Sequence, residues 1–411
     1  MSSSPDVIVL GAGMVGVSAA LHLQARGRSV VLLDRHGAAG EETSHGNAGL
    51  IERSSVTPYM LPLELATLAK YALNRAPDVR IHWNALPEIL PWLARYALAS
   101  TAAGAARSAQ AALPLIERCV AEHDALAQAA GASHLLKRTG WIKMFRTQRG
   151  LDKGAAEAAL LPAFGLTADV LDAAQLATLE PHLHGGIAAV HFRDPVSVSD
   201  PGGLAKAYAA LFIARGGNFA TGDAQTLAQT ATGWRVAGTE AREVVVALGP
   251  WSNMVLKPLG YRLPLGIKRG YHMHYRAQGN AVLNHAVLDA ERGYLLAPMD
   301  RGIRLTTGAE LARFDAPPSP VQIEMAEPVA RKLFPLAERL DAEPWMGRRP
   351  CLPDMLPVIG PAPRHNGLWL DFGHQHHGLT LGPVSGRLLA EMMTGEPTFA
   401  DPAPYAATRF S

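Results

Sequence analysis

Cysteine is nearly missing: Cys119 and Cys351 are the only two in 411 residues, far apart and outside any C-x-x-C spacing. That excludes a disulfide scaffold and a thiolate metal site, and it fits a reducing compartment. An excess of charge of one sign is also lacking. Charged residues make up 18% of the chain and the formal net charge is +2, so no global field draws it to nucleic acid or to acidic surfaces. No uninterrupted apolar run reaches the length of a membrane span. The first strand-like run begins near residue 6, which leaves no room ahead of it for a charged n-region and an apolar h-region. The expectation is a cytoplasmic protein, with no more than peripheral contact to the cytoplasmic face of the inner membrane. Internal repeats and low-complexity tracts are absent too, which excludes a solenoid.

What is present is concentrated at the N-terminus. The apolar run Val7 to Leu10 leads into Gly11-Ala-Gly13-Met14-Val15-Gly16, a helix-forming stretch follows, and a second apolar run ends in Asp34. Strand, G-x-G-x-x-G, helix, strand and acid in this order form a dinucleotide-binding signature. Gly11 permits the tight strand-to-helix turn, Gly13 lets backbone approach a pyrophosphate, and Gly16 lets the helix pack close to the strands. The helix N-terminus turns free N–H groups and partial positive charge toward the phosphates. Asp34, with Arg35 beside it, is placed to meet a ribose.

At 411 residues the chain exceeds the size of one usual hydrophobic core, so two domains are expected. From Thr57 to Ala130 the pattern becomes helical, Ala- and Leu-rich and punctuated by prolines. Strand-like runs follow at Gly140–Thr147 and Gly186–Phe192, and a helix at about 203–215. Val244 to Leu248 is continuously apolar, as in a strand buried on both faces of a parallel sheet, and stops at Gly249-Pro-Trp251. Between 261 and 344 strand-like runs alternate with polar turns before a helix near 320–338, and the tail returns to glycine-rich sequence. The reading is an α/β fold: a Rossmann-like FAD-binding domain with a second α+β substrate domain of mostly antiparallel sheet plus helices, discontinuous in sequence. The expected segments are 1–80, 150–260 and 345–411 for the nucleotide domain, and 81–149 (with the helical insertion) and 261–344 for the substrate domain.

Three features favour FAD over NAD. After Asp34 comes Gly40-Glu-Glu-Thr-Ser44-His45-Gly46-Asn47-Ala48-Gly49-Leu50, small and hydrogen-bonding residues that let backbone lie close to a flat ring. A helix opening after Gly378 can aim its positive end at the flavin's pyrimidine edge, where reduction places negative charge. The cofactor-like segments are also scattered along the whole chain, as an extended ligand requires.

These residues, together with Val246-Ala247-Leu-Gly249-Pro-Trp251-Ser252, Arg349-Pro-Cys-Leu-Pro-Asp354 and Gly373-His374 through Thr380, resemble the FAD-dependent amine oxidoreductases of the D-amino-acid oxidase superfamily, and bacterial D-amino acid dehydrogenases in particular. The resemblance covers essentially the whole chain. It implies flavin contacts from Ser44 to Leu50 and from Gly378, Leu379 and Thr380, dinucleotide contacts from Gly249 and Trp251, and a substrate carboxylate held by Arg349, with Arg348 as its rival. Asp34 stands where the superfamily often has Glu. Cys351 does not match the position of covalent flavin attachment in sarcosine oxidases, so the FAD is expected to be non-covalent.

The histidines are unusual. His374, His376 and His377 crowd the expected flavin face, and His272 and His274 alternate on a strand from which Tyr271 points the other way. His374, His376, Tyr271 and His272 join Arg349 as candidate catalytic residues, and Tyr294 as a further pocket residue. Their spacing also admits a metal site, but the flanking glycines suit a flavin better, and no metal is expected. The reaction expected from the resemblance is oxidation of a small amino acid to an imine, then to a 2-oxo acid and ammonia. Electrons would leave to a quinone, a respiratory acceptor or a partner protein, and Trp83, Pro87, Pro91 and Trp92 are candidates for membrane or partner contact. A flavin subunit of a D-proline, D-hydroxyproline or sarcosine-type complex, and a non-catalytic FAD-binding protein, are the alternative readings.

Overall fold

The computed structural model describes residues 4–75 and 77–410. Val7–Leu10 is wholly buried and forms the centre of a six-stranded sheet. On one side it pairs in parallel with Val30–Asp34, which pairs in turn with Asn218–Thr221. On the other it pairs with Glu243–Val246, then Leu368–Phe372. An antiparallel edge strand, Val358–Pro361, completes the sheet. β-Branched and apolar side chains on both faces of these strands account for the burial of the whole run. The turns after residues 10, 34, 246 and 372 therefore collect at the carboxyl edge, where open α/β sheets bind ligands.

The first helix, Met14–Ala25, is apolar on all sides, and the structure covers it on all sides. It lies against the sheet, against Pro201–Ala214 and against the last long helix, Gly378–Thr394. That last contact is backbone-close: a Cβ on Gly386 would lie 2.7 Å from the Ala19 nitrogen. The two helices consequently present their N-termini side by side at the same edge. The 28-residue helix Ala102–Ala129, capped by Thr101, packs on the outer side of the last helix.

A larger, mostly antiparallel sheet of eleven strands stands over this edge, built around the long strand Gly266–Ala277 and its neighbours Trp345–Cys351 and Gly302–Thr306. Its membership departs from the expected segment boundaries in two places. Ala168–Asp172 and Ala188–Phe192, placed in sequence with the nucleotide domain (150–260), pair with Trp141–Phe145 and so belong to the larger sheet. Trp345–Cys351, placed with the tail (345–411), pairs along its full length with residues 266–272 of the long strand of the same sheet. The sheet to which these three strands belong is decided by distant partners, which local pattern does not report.

Candidate active site

One cavity of about 680 Å³ runs from the first helix to the larger sheet, and its wall includes Gly11, Asp34, Ser44, Trp251, Gly378, Arg349 and His376. At the nucleotide end the geometry is made by backbone. Gly11 has φ +101°, and a Cβ there would sit 2.6 Å from the Ala247 carbonyl oxygen; a Cβ on Gly16 would sit 1.8 Å from the Gly11 oxygen. The motif is thus sterically obligatory. The first helix has neither a capping side chain nor an acid in its first turn, and its Met14 N–H donates to Ser44 Oγ at 3.0 Å. Asp34 accepts from the backbone N–H of Ala12 at 2.7 Å and of His36 at 2.9 Å, which ties its carboxylate to the glycine turn. The Arg35 guanidinium stacks 4.2 Å above the Trp251 ring.

The loop after Asp34 is packed from behind by the histidines. His272 stacks on Trp345, with ring centroids 4.8 Å apart, and its Nδ1 donates to the Gly46 carbonyl at 3.3 Å. Burial, with Arg304 and His274 beside it, holds its pKa down to about 2. Arg304 Nε donates to His274 Nε2 at 2.9 Å, so His274 must offer a lone pair there and donate from Nδ1 to Asp341 at 2.7 Å. Arg304 in turn donates to the carbonyl oxygen of Asn47. The alternation of His272 and His274 on one face therefore serves to clamp the 45–47 backbone. Their nitrogens lie with Asp341 within metal-ligand reach of one another, yet both His274 nitrogens are already engaged.

The second half of the cavity is set by strand register. Arg349 is paired with Lys268 and Gly347 with Gly270, so Lys268, Gly270, His272 and Arg349 share one face of the sheet, and Lys268, Gly270 and Arg349 line the cavity. Tyr271 and Arg269 lie on the other. The Tyr271 hydroxyl donates to Glu310 at 2.6 Å and accepts from Arg269 and the Ser319 N–H, inside a buried Arg269–Glu310 ion pair. Tyr271 borders the cavity, while its hydroxyl is engaged on the sheet's far side by Glu310, Arg269 and Ser319. Tyr294, buried beside Asp289 and Arg146, is also away from the cavity wall.

Arg349 donates to the carbonyl oxygens of Gly308 (2.7 Å) and Thr307 (3.3 Å), and its guanidinium lies over Gly270, where a Cβ would approach Nη2 to 2.4 Å. Burial lowers its pKa. Its rival Arg348 instead donates to the Phe314 carbonyl and stacks on that ring, off the cavity wall.

The H-Q-H-H loop turns on Gln375, which adopts φ +57°. On one side of this kink His374 points inward to Ser385 Oγ (3.0 Å) and Asp371 (3.4 Å). Burial and His377 hold its pKa at about 3, while burial raises Asp371 well above the usual carboxylate range. His374 is therefore a positioning residue beneath the last helix. On the other side His376 packs edge-on against Tyr59, 4.8 Å between centroids, and its Nε2 has no hydrogen-bond partner. Burial, His377, Arg349 and Lys268 all keep its ring neutral. Glu52 lies 3.6 Å from His377, and with His376 these form a second grouping at ligand distance.

The other expected cofactor residues divide into wall and support. Met14, Val15, Gly46, Asn47, Ala48, Ala247, Gly249 and Leu379 line the cavity. Gly16, His45, Gly49, Leu50, Gly373 and Thr380 lie behind that wall; Thr380 Oγ1 accepts from Glu52 N–H and donates to the Leu50 carbonyl. Sequence reasoning missed Lys268, Tyr59 and His123. The last is buried in the middle of the Ala102–Ala129 helix, donates to the Leu379 carbonyl at 2.7 Å, and has its pKa held at about 4 by burial. It stands between Glu122 and Asp124, so no local pattern marks it as buried.

These residues fit an extended FAD. The last helix, like the first, has no side-chain cap and no acid in its first turn, so two uncapped N-termini face one cavity. Buried acceptor and donor atoms without partners, His376 Nε2 and Thr306 Oγ1, sit at its wall. The family model described as DAO, FAD dependent oxidoreductase, matches residues 6–392. The chain belongs to this family. It is 31% identical to a D-amino acid dehydrogenase of Xylella fastidiosa over 409 residues, covering 95% of this chain and 92% of the relative. It is 29% identical to a D-amino-acid oxidase of Bradyrhizobium diazoefficiens, with both chains covered in full. Among solved structures, glycine oxidase from Geobacillus kaustophilus superposes with a TM-score of 0.74 at 23% identity, covering 99% of each chain; that likeness concerns the fold. The protein is an FAD-dependent oxidoreductase, as the residues after Asp34 and Gly378 led us to expect. Among the described residues no helix is long and apolar enough to cross a membrane.

Proposed function

We propose that this protein oxidises an amino acid, most specifically a D-amino acid, at its alpha carbon, and that Arg349 binds the substrate carboxylate. The observation that carries this reading is Arg349 itself: a guanidinium turned into the far end of the cavity, fixed by two carbonyl groups, with no carboxylate of the described residues paired to it. A planar cation held this way is preorganised for a carboxylate. FAD, when bound, supplies the acceptor for the hydride leaving the alpha carbon. The chain's part is orientation: Arg349 fixes one end of the substrate, and Gly46 to Ala48 with Gly378 and Leu379 fix the ring opposite. His376, neutral and with Nε2 free, is the group that accepts a proton from the substrate ammonium, since a carboxylate on Arg349 offsets the positive field that depresses its basicity. Water then converts the imine to a 2-oxo acid and ammonia.

For electron exit we favour a quinone or a partner protein over direct transfer within the cavity. Leu65, Leu73, Trp83, Leu90 and Leu98 are exposed on the helical region that flanks it, an apolar surface of the kind used for contact. Trp92 does not belong to that surface: it is buried, and its Nε1 donates to the Cys351 carbonyl at 2.9 Å.

The test is anaerobic reduction of the purified yellow holoprotein by paired D- and L-amino acids, prolines and N-methylglycines. Bleaching by D-amino acids, with Arg349→Ala requiring at least a hundredfold more substrate, supports the reading. Bleaching by none of them, or equal response of Arg349→Ala, refutes it.

A further inference from the structure

Arg349 is not the only unpaired cation in the cavity. Its register partner Lys268 projects from the same face of the sheet, with its Nζ 2.9 Å from the Tyr96 hydroxyl and 4.1 Å from that ring's centroid. No carboxylate of the described residues pairs with either cation. The acidic group whose field acts on both is the Cys351 thiol, and burial pushes that thiol's pKa up, leaving it uncharged. The acids on the wall are engaged elsewhere: Asp78 accepts from Tyr71 at 2.9 Å, Glu52 stands beside His377, Asp34 accepts from the Ala12 and His36 N–H groups, Glu42 pairs with Arg35 and His36, Asp223 accepts from the Gln225 N–H, and Asp371 meets Ser385 and His374. Two cations sunk in one cavity without a counter-charge are costly unless a ligand supplies the anions.

The directions of the two side chains say how many anionic groups the ligand carries. Directly opposed strand positions start about 5 Å apart. From there Arg349 leans over Gly270 toward Thr307 and Gly308. Lys268 leans the other way along the strand, toward Tyr96 and Trp92, the latter covering Gly266. The charged heads diverge, so one carboxylate cannot satisfy both, whereas a molecule with a carboxylate at each end can.

We infer that the preferred substrate is a dicarboxylic amino acid, its alpha carboxylate on Arg349 and its second carboxylate on Lys268. Lys268 is then a specificity-determining residue of the site. The inference rests on the amino-acid-oxidising reading above, and it narrows that reading to acidic substrates, D-glutamate and D-aspartate first. The Trp92 and Tyr96 rings lie against the Lys268 ammonium, an apolar surrounding that strengthens its pairing with an incoming carboxylate.

The decisive experiment compares acid with amide of equal shape on the holoenzyme: anaerobic flavin reduction by D-glutamate against D-glutamine, and D-aspartate against D-asparagine. The acids are expected to give at least tenfold higher kcat/KM. In Lys268→Met this acid-to-amide ratio should fall at least tenfold, and Lys268→Arg should restore part of it; a purely structural lysine would lower both members of each pair alike. Binding is read separately with glutarate and butyrate, which carry no oxidisable amine, from the shift they cause in the flavin spectrum. Tighter binding of glutarate, lost in Lys268→Met, supports the two-carboxylate site even where turnover is slow. Amides as good as acids, or glutarate no tighter than butyrate, overturns the inference while leaving amino acid oxidation intact. Failure of every amino acid to reduce the flavin overturns the parent reading instead.

Discussion

The two ends of the cavity are built in opposite ways. At the nucleotide end the wall is backbone: a glycine turn, two uncapped helix N-termini, and an aspartate whose oxygens are held by neighbouring N–H groups. At the substrate end it is side chain: Arg349, Lys268 and His376, brought together by the pairing of two strands about 80 residues apart and by a kinked loop. A backbone wall tolerates no added atom but asks little of residue chemistry. A side-chain wall tolerates changes of shape better than changes of charge. The contrast predicts that the worst substitutions at one end are steric and at the other electrostatic.

The largest effect should come from Gly16→Val. A Cβ alone would lie 1.8 Å from the Gly11 oxygen, and backbone cannot yield as a flexible side chain does, so a cost of about 3 kcal/mol or more is expected. The protein should purify colourless, with thermal unfolding no longer raised by added FAD. A yellow protein of normal affinity would show that the backbone end is softer than argued. Next in size is Arg349→Ala, which keeps the visible spectrum but loses a hydrogen-bonded ion pair with substrate, worth about 2–5 kcal/mol; kcat/KM should fall a hundredfold or more. Gly270→Ala connects the two ends of the comparison, being a steric change at the electrostatic end. Its methyl would displace the Arg349 guanidinium from 2.4 Å, and a rise in KM of about tenfold is expected with FAD binding unaltered.

The same contrast explains what was readable in the amino-acid sequence. Gly11, Gly13, Gly16 and Asp34 act through spacing within 24 residues, and spacing is what a linear chain displays. Lys268 carries no local signal: it is one lysine on a strand, and only register places it beside Arg349. Tyr271 shows how far alternation reaches: it sets the residue opposite His272, as the sequence indicates, but not the Glu310 and Arg269 partners that hold its hydroxyl. The histidines at 272 and 274 were conspicuous for a reason other than catalysis, because they hold the 45–47 backbone from behind. Support of that kind depends on three distant segments, Gly302–Thr306, Trp345 and Asp341, and leaves no mark in any one of them.

Stability should also depend on pH through the supporting histidines. His123, His272 and His374 have pKa values held at about 4, 2 and 3 by burial, below the ordinary value near 6.5 of the unfolded chain. Between these limits the unfolded state binds protons that the folded state refuses, so stability is full above about pH 6.5 and falls as pH drops, by up to about 1.4 kcal/mol per pH unit for each histidine. Asp371, whose pKa is raised, acts in the opposite sense and offsets part of the slope. Urea unfolding at pH 7.0 and 5.5 checks this, and His123→Gln should flatten the dependence by about 0.6 proton over that interval. An unchanged slope would mean that His123 is protonated in the folded protein.

The smallest effect belongs to the joint between the two ends, the Gln375 kink. A non-glycine residue at φ +57° costs about 1 kcal/mol relative to glycine. Its backbone N–H is fixed by the Pro350 carbonyl at 2.9 Å, a contact that glycine retains. Gln375→Gly should therefore leave the loop in place and change stability by less than about 1 kcal/mol, the relief of strain working against the greater entropy of the unfolded chain. Gln375→Val keeps the backbone contact but cannot hold the left-handed conformation. It should cost more than the glycine variant and swing His376 away from Tyr59, lowering kcat more than FAD affinity. If both variants behaved alike, the kink would not be what separates His374 from His376.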